Sequence, residues 1–256
     1  MIPNMLFIVG LFALGAIIAS FVGVVVARLH TGQGFFTGRS HCDACNKPLA
    51  SHSLIPIISY FVGRGKARCC GARISIMSPL TEILLGGLFV LAYLKVGFTS
   101  ALPWMLVSLS LLLALVLYDL SHQILPSKLL TPFVIISFVT GLLIAPSSTE
   151  FLGSLIIAFF IAFSLALIHF LSRGRAMGLA DAPFVFGLAL LTGPFAFTGF
   201  VFSFWIGAII GIIMLAKRPR GSRMGVEVPF APFLAAGFLL AFFTQWNLLT
   251  LLGGSH

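Results

Sequence analysis

The chain has 256 residues, of which 59% are hydrophobic and only 8% are charged, and its formal net charge is +9. A soluble domain carries about 25% charged residues, so this composition, with a mean hydropathy of +1.14, excludes an ordinary soluble protein. The basic residues lie between apolar runs and form no continuous stripe, which argues against nucleic acid as a partner and indicates a lipid bilayer. We predict an all-α polytopic membrane protein.

The apolar runs predict the membrane-spanning helices, each of which needs about 20 apolar residues. The first has no basic residue before it and Arg28 after it, the reverse of a cleaved signal peptide, so we expect a retained helix with its N-terminus outside. Gly193-Pro194 is a helix-breaking signal that would end the sixth run early. The eight predicted spans are 3–27, 79–95, 101–119, 129–146, 151–171, 182–197, 199–216 and 229–249.

The distribution of basic residues supports eight spans. With the N-terminus outside, the inside segments are 28–78, 120–128, 172–181 and 217–228, and they hold every Lys and Arg except Lys95. This is the asymmetry that the positive-inside rule predicts, and one helix more or fewer would destroy it.

The spans and their orientation predict that the chain has four parts: a first transmembrane helix (1–27), a small cytoplasmic domain (28–78), a seven-helix membrane domain (79–249) and a tail (250–256). The cytoplasmic domain is too small to build a large core unaided.

Two aspartates are the strongest candidates for chemistry in a chain with only six acidic residues. Asp119 ends the third run and Asp181 precedes the sixth, so both fall on the cytoplasmic side, where a charge next to the membrane is costly unless it is used. Two carboxylates that meet can share a proton, so that one activates a water while the other donates to a carbonyl. The alternative is two separate helix-terminal carboxylates, with Asp181 capping the sixth helix.

Three further polar residues lie near the predicted cytoplasmic face. Glu82, near the start of the second helix, could pair with a basic group or could simply favour its own helix dipole. We interpret His122 and His169 as interfacial polar residues at helix ends.

All four cysteines lie in the segment 28–78. Cys42 and Cys45 have the spacing that lets two sulfurs reach one tetrahedral ion, whereas Cys69 and Cys70 are adjacent in sequence, which is poor for chelating one ion. A structural zinc is one interpretation, with His41 or His52 as substitute ligands, and ordinary thiols are the other.

Several motifs, in order along the chain, resemble the prepilin peptidases, also called type IV leader peptidases. They are 20–29, 39–45, 55–60, 71–75 leading to 78–82, Asp119 followed by 124–126, the Gly-x-x-Asp of Gly178 and Asp181, and 229–234. Three positions depart from the family pattern: Ala180 replaces a second Gly that would allow a close backbone approach or a positive φ, Pro183 replaces a Lys that commonly follows the Asp by two positions, and Ala67 occupies a cysteine position.

The resemblance implies an aspartic endopeptidase with Asp119 and Asp181 as the catalytic pair, supported by Glu82 and Gly178. Its substrates would be the helices of type IV prepilins and the pseudopilins of type II secretion, cut at the cytoplasmic face of the bacterial inner membrane. Many members also methylate the new N-terminus with S-adenosylmethionine, and the family's cysteines imply zinc bound by Cys42, Cys45, Cys69 and Cys70. The alternatives are a presenilin-like intramembrane protease, a proton-coupled transporter and a catalytically inactive relative.

Overall fold

The computed structural model describes residues 5–29, 44–45, 47, 56–67, 69–175, 177–216 and 229–246. Within these ranges the regular secondary structure is helical, and the only β-pairing is one isolated antiparallel bridge between Lys66 and Arg73. The described residues form nine α-helices: α1 Met5–Arg28, α2 Ile58–Val62, α3 Met77–Val96, α4 Ala101–His122, α5 Ser127–Ile144, α6 Ser148–Leu171, α7 Asp181–Thr192, α8 Ala196–Ala216 and α9 Ala231–Thr244. The prediction of an all-helical membrane protein is therefore confirmed.

Six stretches among the described helices are long and apolar enough to cross a membrane. The last of them, Asp181–Met214, contains α7 and most of α8, whereas α9, with 14 residues, is shorter than any of the six stretches. Helices stand at all eight predicted positions, but the predicted number of eight crossings stays a prediction.

The break between α7 and α8 has a local cause. Gly193 has φ +64°, a value that side-chain-bearing residues rarely adopt, and Pro194 follows it in a single 3-10 turn, Gly193–Phe195. The helix α7 therefore ends at Thr192, as the Gly-Pro signal predicts, and is only 12 residues long.

The helices pack as two units. In the first, which ends at Gly97, α1 packs along α3. In the second, which begins at Phe98, α4 packs on α5, α5 and α6 pack on α7, α8 packs on α9, and both α4 and α7 contact α9. The contacts place α3 with α1, whereas the division predicted from the sequence grouped it with the later helices; that division stays a prediction.

The contact between α8 and α9 is unusually close. Ser203 on α8 donates to the carbonyl of Gly199 at 2.8 Å and to that of Leu234 on α9 at 3.2 Å. A Cβ on Gly237 of α9 would clash with the backbone nitrogen of Ser203. Small residues let two helix backbones approach in this way in membranes, where packing and interhelical hydrogen bonds drive association. This close packing fixes the position of α9, whose first residue, Ala231, contributes to the candidate active site.

Candidate active site

Asp119 lies in the last turn of α4 and is only 6% exposed. The sequence prediction ended this helix at residue 119, but α4 continues to His122 and ends where Gln123 adopts the left-handed conformation. The Oδ2 atom of Asp119 accepts a hydrogen bond of 3.1 Å from the backbone N–H of Ala231, the first residue of α9. The N-terminus of a helix favours a negative group through its unsatisfied N–H donors and its dipole.

Asp181 is the first residue of α7 and is half-buried. Its Oδ2 atom accepts a hydrogen bond of 3.1 Å from the backbone N–H of Gly178, three residues earlier. The alternative that Asp181 caps the helix is wrong, because the N-cap position is held by Ala180. The Asp181 carboxylate therefore contacts the loop before α7 and lies beside the first turn of that helix.

The two carboxylates lie at the same end of the second unit. Asp119 is held by the first residue of α9, and α9 also packs against α7, which begins with Asp181. The carboxylate of Asp181 lies within electrostatic range of both Asp119 and His169. The structure thus brings together the two aspartates that are 62 positions apart in the sequence.

Two departures from the family pattern are compatible with this geometry. Ala180 has φ −68° and ψ −18°, so of the two alternatives this position does not need a positive φ, and the Cβ of Ala180 causes no backbone strain. Pro183 is exposed in the first turn of α7, where a missing N–H costs no intrahelical hydrogen bond.

The missing side chain of Gly178 leaves room for the carboxylate of Asp181. A Cβ at this position would lie 3.3 Å from Oδ2 of Asp181, closer than most real contacts of this kind. The absence of a side chain therefore lets the Gly178 N–H approach the carboxylate.

Glu82 belongs to the first unit, where it is 4% exposed and supports an unusual turn. Its Oε2 atom accepts a hydrogen bond of 2.7 Å from the backbone N–H of Ile57. Ile57 has φ 62° and ψ −55°, and the N–H of Ile58 donates to the carbonyl of Pro56, so the three residues form the rare, strained form of γ-turn. A β-branched residue in this conformation persists only where its surroundings hold it, which is what Glu82 provides.

Replacing Glu82 by Ala should release this turn. The Ile57 N–H would lose a hydrogen bond to a charged group, worth about 1.5–3 kcal/mol, so we expect roughly 10- to 100-fold faster local opening. Amide hydrogen exchange at Ile57 and tryptic cleavage after Arg64 measure that opening. Glu82→Gln keeps an acceptor oxygen and should lie between the wild type and Glu82→Ala; equal protection in all three proteins would contradict the assignment.

Three cysteines of the first unit form a cluster. The Sγ atoms of Cys45 and Cys69 are 3.4 Å apart, those of Cys69 and Cys70 are 3.8 Å apart, and all three lie within 4.8 Å of one another. A tetrahedral zinc with bonds of about 2.3 Å holds its sulfurs roughly 3.8 Å apart, so this spacing fits. The expectation that adjacent cysteines chelate one ion poorly is not supported by this geometry. Cys42, His41 and His52 lie outside the described residues.

The turn that carries Cys69 and Cys70 explains their position. The bridge between Lys66 and Arg73, with the N–H of Ala67 donating to Ala72 at 2.8 Å, brings the two sides of this segment together. Ala67, at the family's cysteine position, is buried in the stem of the turn. The cysteines at its tip thereby meet Cys45.

The two histidines differ in their surroundings. His122 is exposed at the end of α4, and its ring lies tilted against that of Tyr118, with ring centroids 4.5 Å apart, which suits an interfacial residue. His169 is partly buried, and its Nδ1 atom lies 2.8 Å from the carbonyl oxygen of Met177 in the loop before Asp181. The sequence did not predict the contact of His169 with Met177. It also did not predict the hydrogen bond from the backbone N–H of Ala231 to Asp119, because a backbone donor has no side-chain signal.

Comparisons with known proteins identify the family of this chain. The profile of the bacterial peptidase A24 N-terminal domain matches residues 13–96, and that of the type IV leader peptidase family matches residues 106–215. The prepilin leader peptidase/N-methyltransferase of Bacillus subtilis (strain 168) is 31% identical over 237 residues, which cover 91% of this chain and 92% of that protein. The chain belongs to the type IV leader peptidase family.

Other members of this family are similarly related. The prepilin leader peptidase/N-methyltransferase of Myxococcus xanthus (strain DK1622) is 33% identical over 222 residues, covering 84% of this chain and 65% of that protein. The one from Pseudomonas aeruginosa is 27% identical over 266 residues, covering 91% and 89% respectively. No solved structure matches the chain. The resemblance inferred from the motifs is confirmed.

Proposed function

We propose that this type IV leader peptidase is a membrane aspartic endopeptidase that removes the basic leader of prepilins or pseudopilins. The observation that carries the proposal is the pair of acids in the second unit. Asp119 and Asp181 lie at the same end of this unit, and each is oriented by a backbone N–H on its Oδ2 atom. A transporter or a presenilin-like protease would also use carboxylates, but membership of this family favours the prepilin class.

In the proposed reaction one carboxylate is ionised and the other is protonated. The ionised one takes a proton from a water, whose oxygen adds to the scissile carbonyl carbon while the protonated one donates to the carbonyl oxygen. The C–N bond then breaks, and a proton passes to the leaving nitrogen. Holding each carboxylate by Oδ2 leaves its Oδ1 atom to contact the water or the substrate. No metal and no covalent intermediate are required.

The environment of the two acids suits a substrate with an apolar helix. Asp119 lies in the last turn and Asp181 in the first turn of helical stretches that are long enough to cross a membrane. A cleavage site at the end of a substrate helix can therefore reach the acids while the helix stays in the bilayer.

We further propose eight membrane crossings with the active site on the cytoplasmic side of the bacterial inner membrane. The charge asymmetry supports this orientation, since all basic residues except Lys95 then lie inside. The helix break at Gly193 supports counting α7 and α8 as two crossings. On this basis 28–78 is a small cytoplasmic domain between the first two spans, and 79–249 contains the other seven.

The names of the relatives support a second activity, and the cysteine cluster supports a metal site. The relatives are named as peptidase and N-methyltransferase together, so we propose that this enzyme also methylates the new N-terminus with S-adenosylmethionine. We propose that Cys45, Cys69 and Cys70, with Cys42 as a fourth ligand, hold a structural zinc. Zinc would cross-link the ends of the cytoplasmic segment and supply folding energy rather than chemistry.

Metal analysis tests the zinc proposal. We expect the purified protein to contain one zinc per chain, and Cys45→Ser to weaken its retention against a chelator at least tenfold, because a thiolate ligand is lost. Zinc content and proteolysis of the segment 56–76, followed while chelator is added, are the measurements. Wild-type protein that carries no zinc even after growth with added zinc would refute the site.

The function is tested with purified protein in liposomes and a prepilin carrying its leader. The expected result is a mass loss equal to the leader and, after addition of S-adenosylmethionine, a gain of one methyl group. A wild-type protein that cleaves neither prepilins nor pseudopilins would refute the peptidase proposal. Cleavage without the methyl gain would refute only the methyltransferase.

A further inference from the structure

His169 contacts the loop before Asp181 but has no part in the reaction proposed above. The role proposed for it here rests on the proposed peptidase function. We propose that His169 is a positioning residue for Asp181, on which it acts through the single peptide group that joins Met177 to Gly178. It does not touch the reacting atoms itself.

Two hydrogen bonds connect His169 to Asp181 through that peptide group. The Nδ1 atom of His169 lies 2.8 Å from the Met177 carbonyl oxygen, and because a carbonyl only accepts, Nδ1 must carry the hydrogen. The N–H of the same peptide group, which belongs to Gly178, donates to Oδ2 of Asp181 at 3.1 Å. In a trans peptide the C=O and the N–H point in opposite directions, so the histidine and the aspartate hold the group from its two sides.

The glycine explains why such support is needed. A Cβ at residue 178 would lie 3.3 Å from Oδ2 of Asp181, so a side chain there would push the carboxylate away by a few tenths of an ångström, and glycine avoids this. Glycine, however, lets its backbone rotate freely, and a rotated 177–178 peptide group would turn its carbonyl towards the carboxylate in place of the N–H. The His169 donor opposes that rotation, because it bonds the carbonyl on the far side.

The loop is built around the imidazole ring. Gly174 has φ +75°, its N–H donates to the His169 carbonyl at 2.9 Å, and a Cβ on it would lie 3.3 Å from Cε1 of the ring. The Phe170 ring meets the imidazole edge-on, with centroids 5.5 Å apart. The ring is thus confined between the end of α6 and its own following loop, which points Nδ1 at Met177.

Hydrogen bonds in series also strengthen one another, because a carbonyl that accepts a bond makes its own N–H a better donor. Removing the first bond therefore weakens the second. The carboxylate of Asp181 would then lose its orientation.

Two substitutions at His169 separate positioning from other roles. His169→Phe keeps a flat ring but has no donor, so we expect kcat to fall about 10- to 100-fold, the scale of a misplaced catalytic group, with KM changed less than about twofold. His169→Asn places an amide nitrogen near the position of Nδ1 and should restore kcat to within about fivefold of the wild type. His122→Phe, the same change at the exposed histidine of α4, serves as the matched control and should leave kcat within about twofold.

A structural readout keeps this inference separate from the peptidase proposal. In the full-length protein, His169→Phe should speed hydrogen exchange of the Gly178 amide about tenfold or more, while His169→Asn and His122→Phe leave it near the wild-type rate. If the wild type cleaves nothing, the peptidase proposal fails and the exchange rates alone decide the role of His169. If the wild type cleaves and His169→Phe matches its kcat, or if His169→Asn is as slow as His169→Phe at equal thermal stability, positioning by His169 is refuted.

Discussion

Asn in place of either Asp119 or Asp181 should abolish leader cleavage almost completely. General acid and base catalysis contributes about 10²- to 10⁴-fold, and an amide can neither take up nor release the required proton, so we expect a loss of that size from each substitution. Because the two acids act as a unit, the double variant should be about as slow as either single one.

The same substitutions should leave the fold intact. Asn keeps one side-chain oxygen, which can still accept from the N–H of Ala231 at position 119 and from that of Gly178 at position 181. The measurements are single-turnover cleavage in liposomes and thermal unfolding in detergent. Glu150→Gln, which changes an acid in the first turn of α6 outside the proposed site, is the control for removing a negative charge. Full cleavage by either Asn variant would show that the pair is not the catalytic machinery.

Replacing Gly237 by Ala should have the largest effect on stability. The added Cβ would clash with both the Oγ atom and the backbone nitrogen of Ser203, so rotation of a side chain cannot relieve the clash and the two helices have to move apart. Overpacking of this kind costs about 1–3 kcal/mol. The interhelical hydrogen bond from Ser203 to Leu234 would be lost as well.

This substitution should also reduce activity, although it lies far along α9 from the acids. A shift of α9 moves the N–H of Ala231 away from Asp119, and misplacement by about 1 Å can cost up to 100-fold in rate. The control is Gly211→Ala on α8, where a Cβ would meet nothing within 4 Å and should be neutral or slightly stabilising. A Gly237→Ala protein as stable and as active as Gly211→Ala would contradict the close packing of α8 on α9.

The ends of the helices were the features predicted least accurately from the sequence. The apolar run predicted α4 to end at Asp119, yet the helix continues for three residues and buries the carboxylate in its last turn. The run at 182–197 became α7, which ends at Thr192, and the 3-10 turn. A helix ends where a particular residue adopts a capping conformation, such as Gln123 with φ 55°, and hydropathy carries little information about that choice.

The sequence by itself determined the membrane class, the positions of the helices, the two aspartates and the family. Those properties depend on local composition, on runs of membrane length and on motifs of a few adjacent residues. Only the tertiary structure decided how the acids are held. The N–H of Ala231 reaches Asp119 across 112 positions, and His169 acts on Asp181 through one backbone peptide group. Backbone donors carry no side-chain signature, so their partners emerge only when helix packing brings distant segments together.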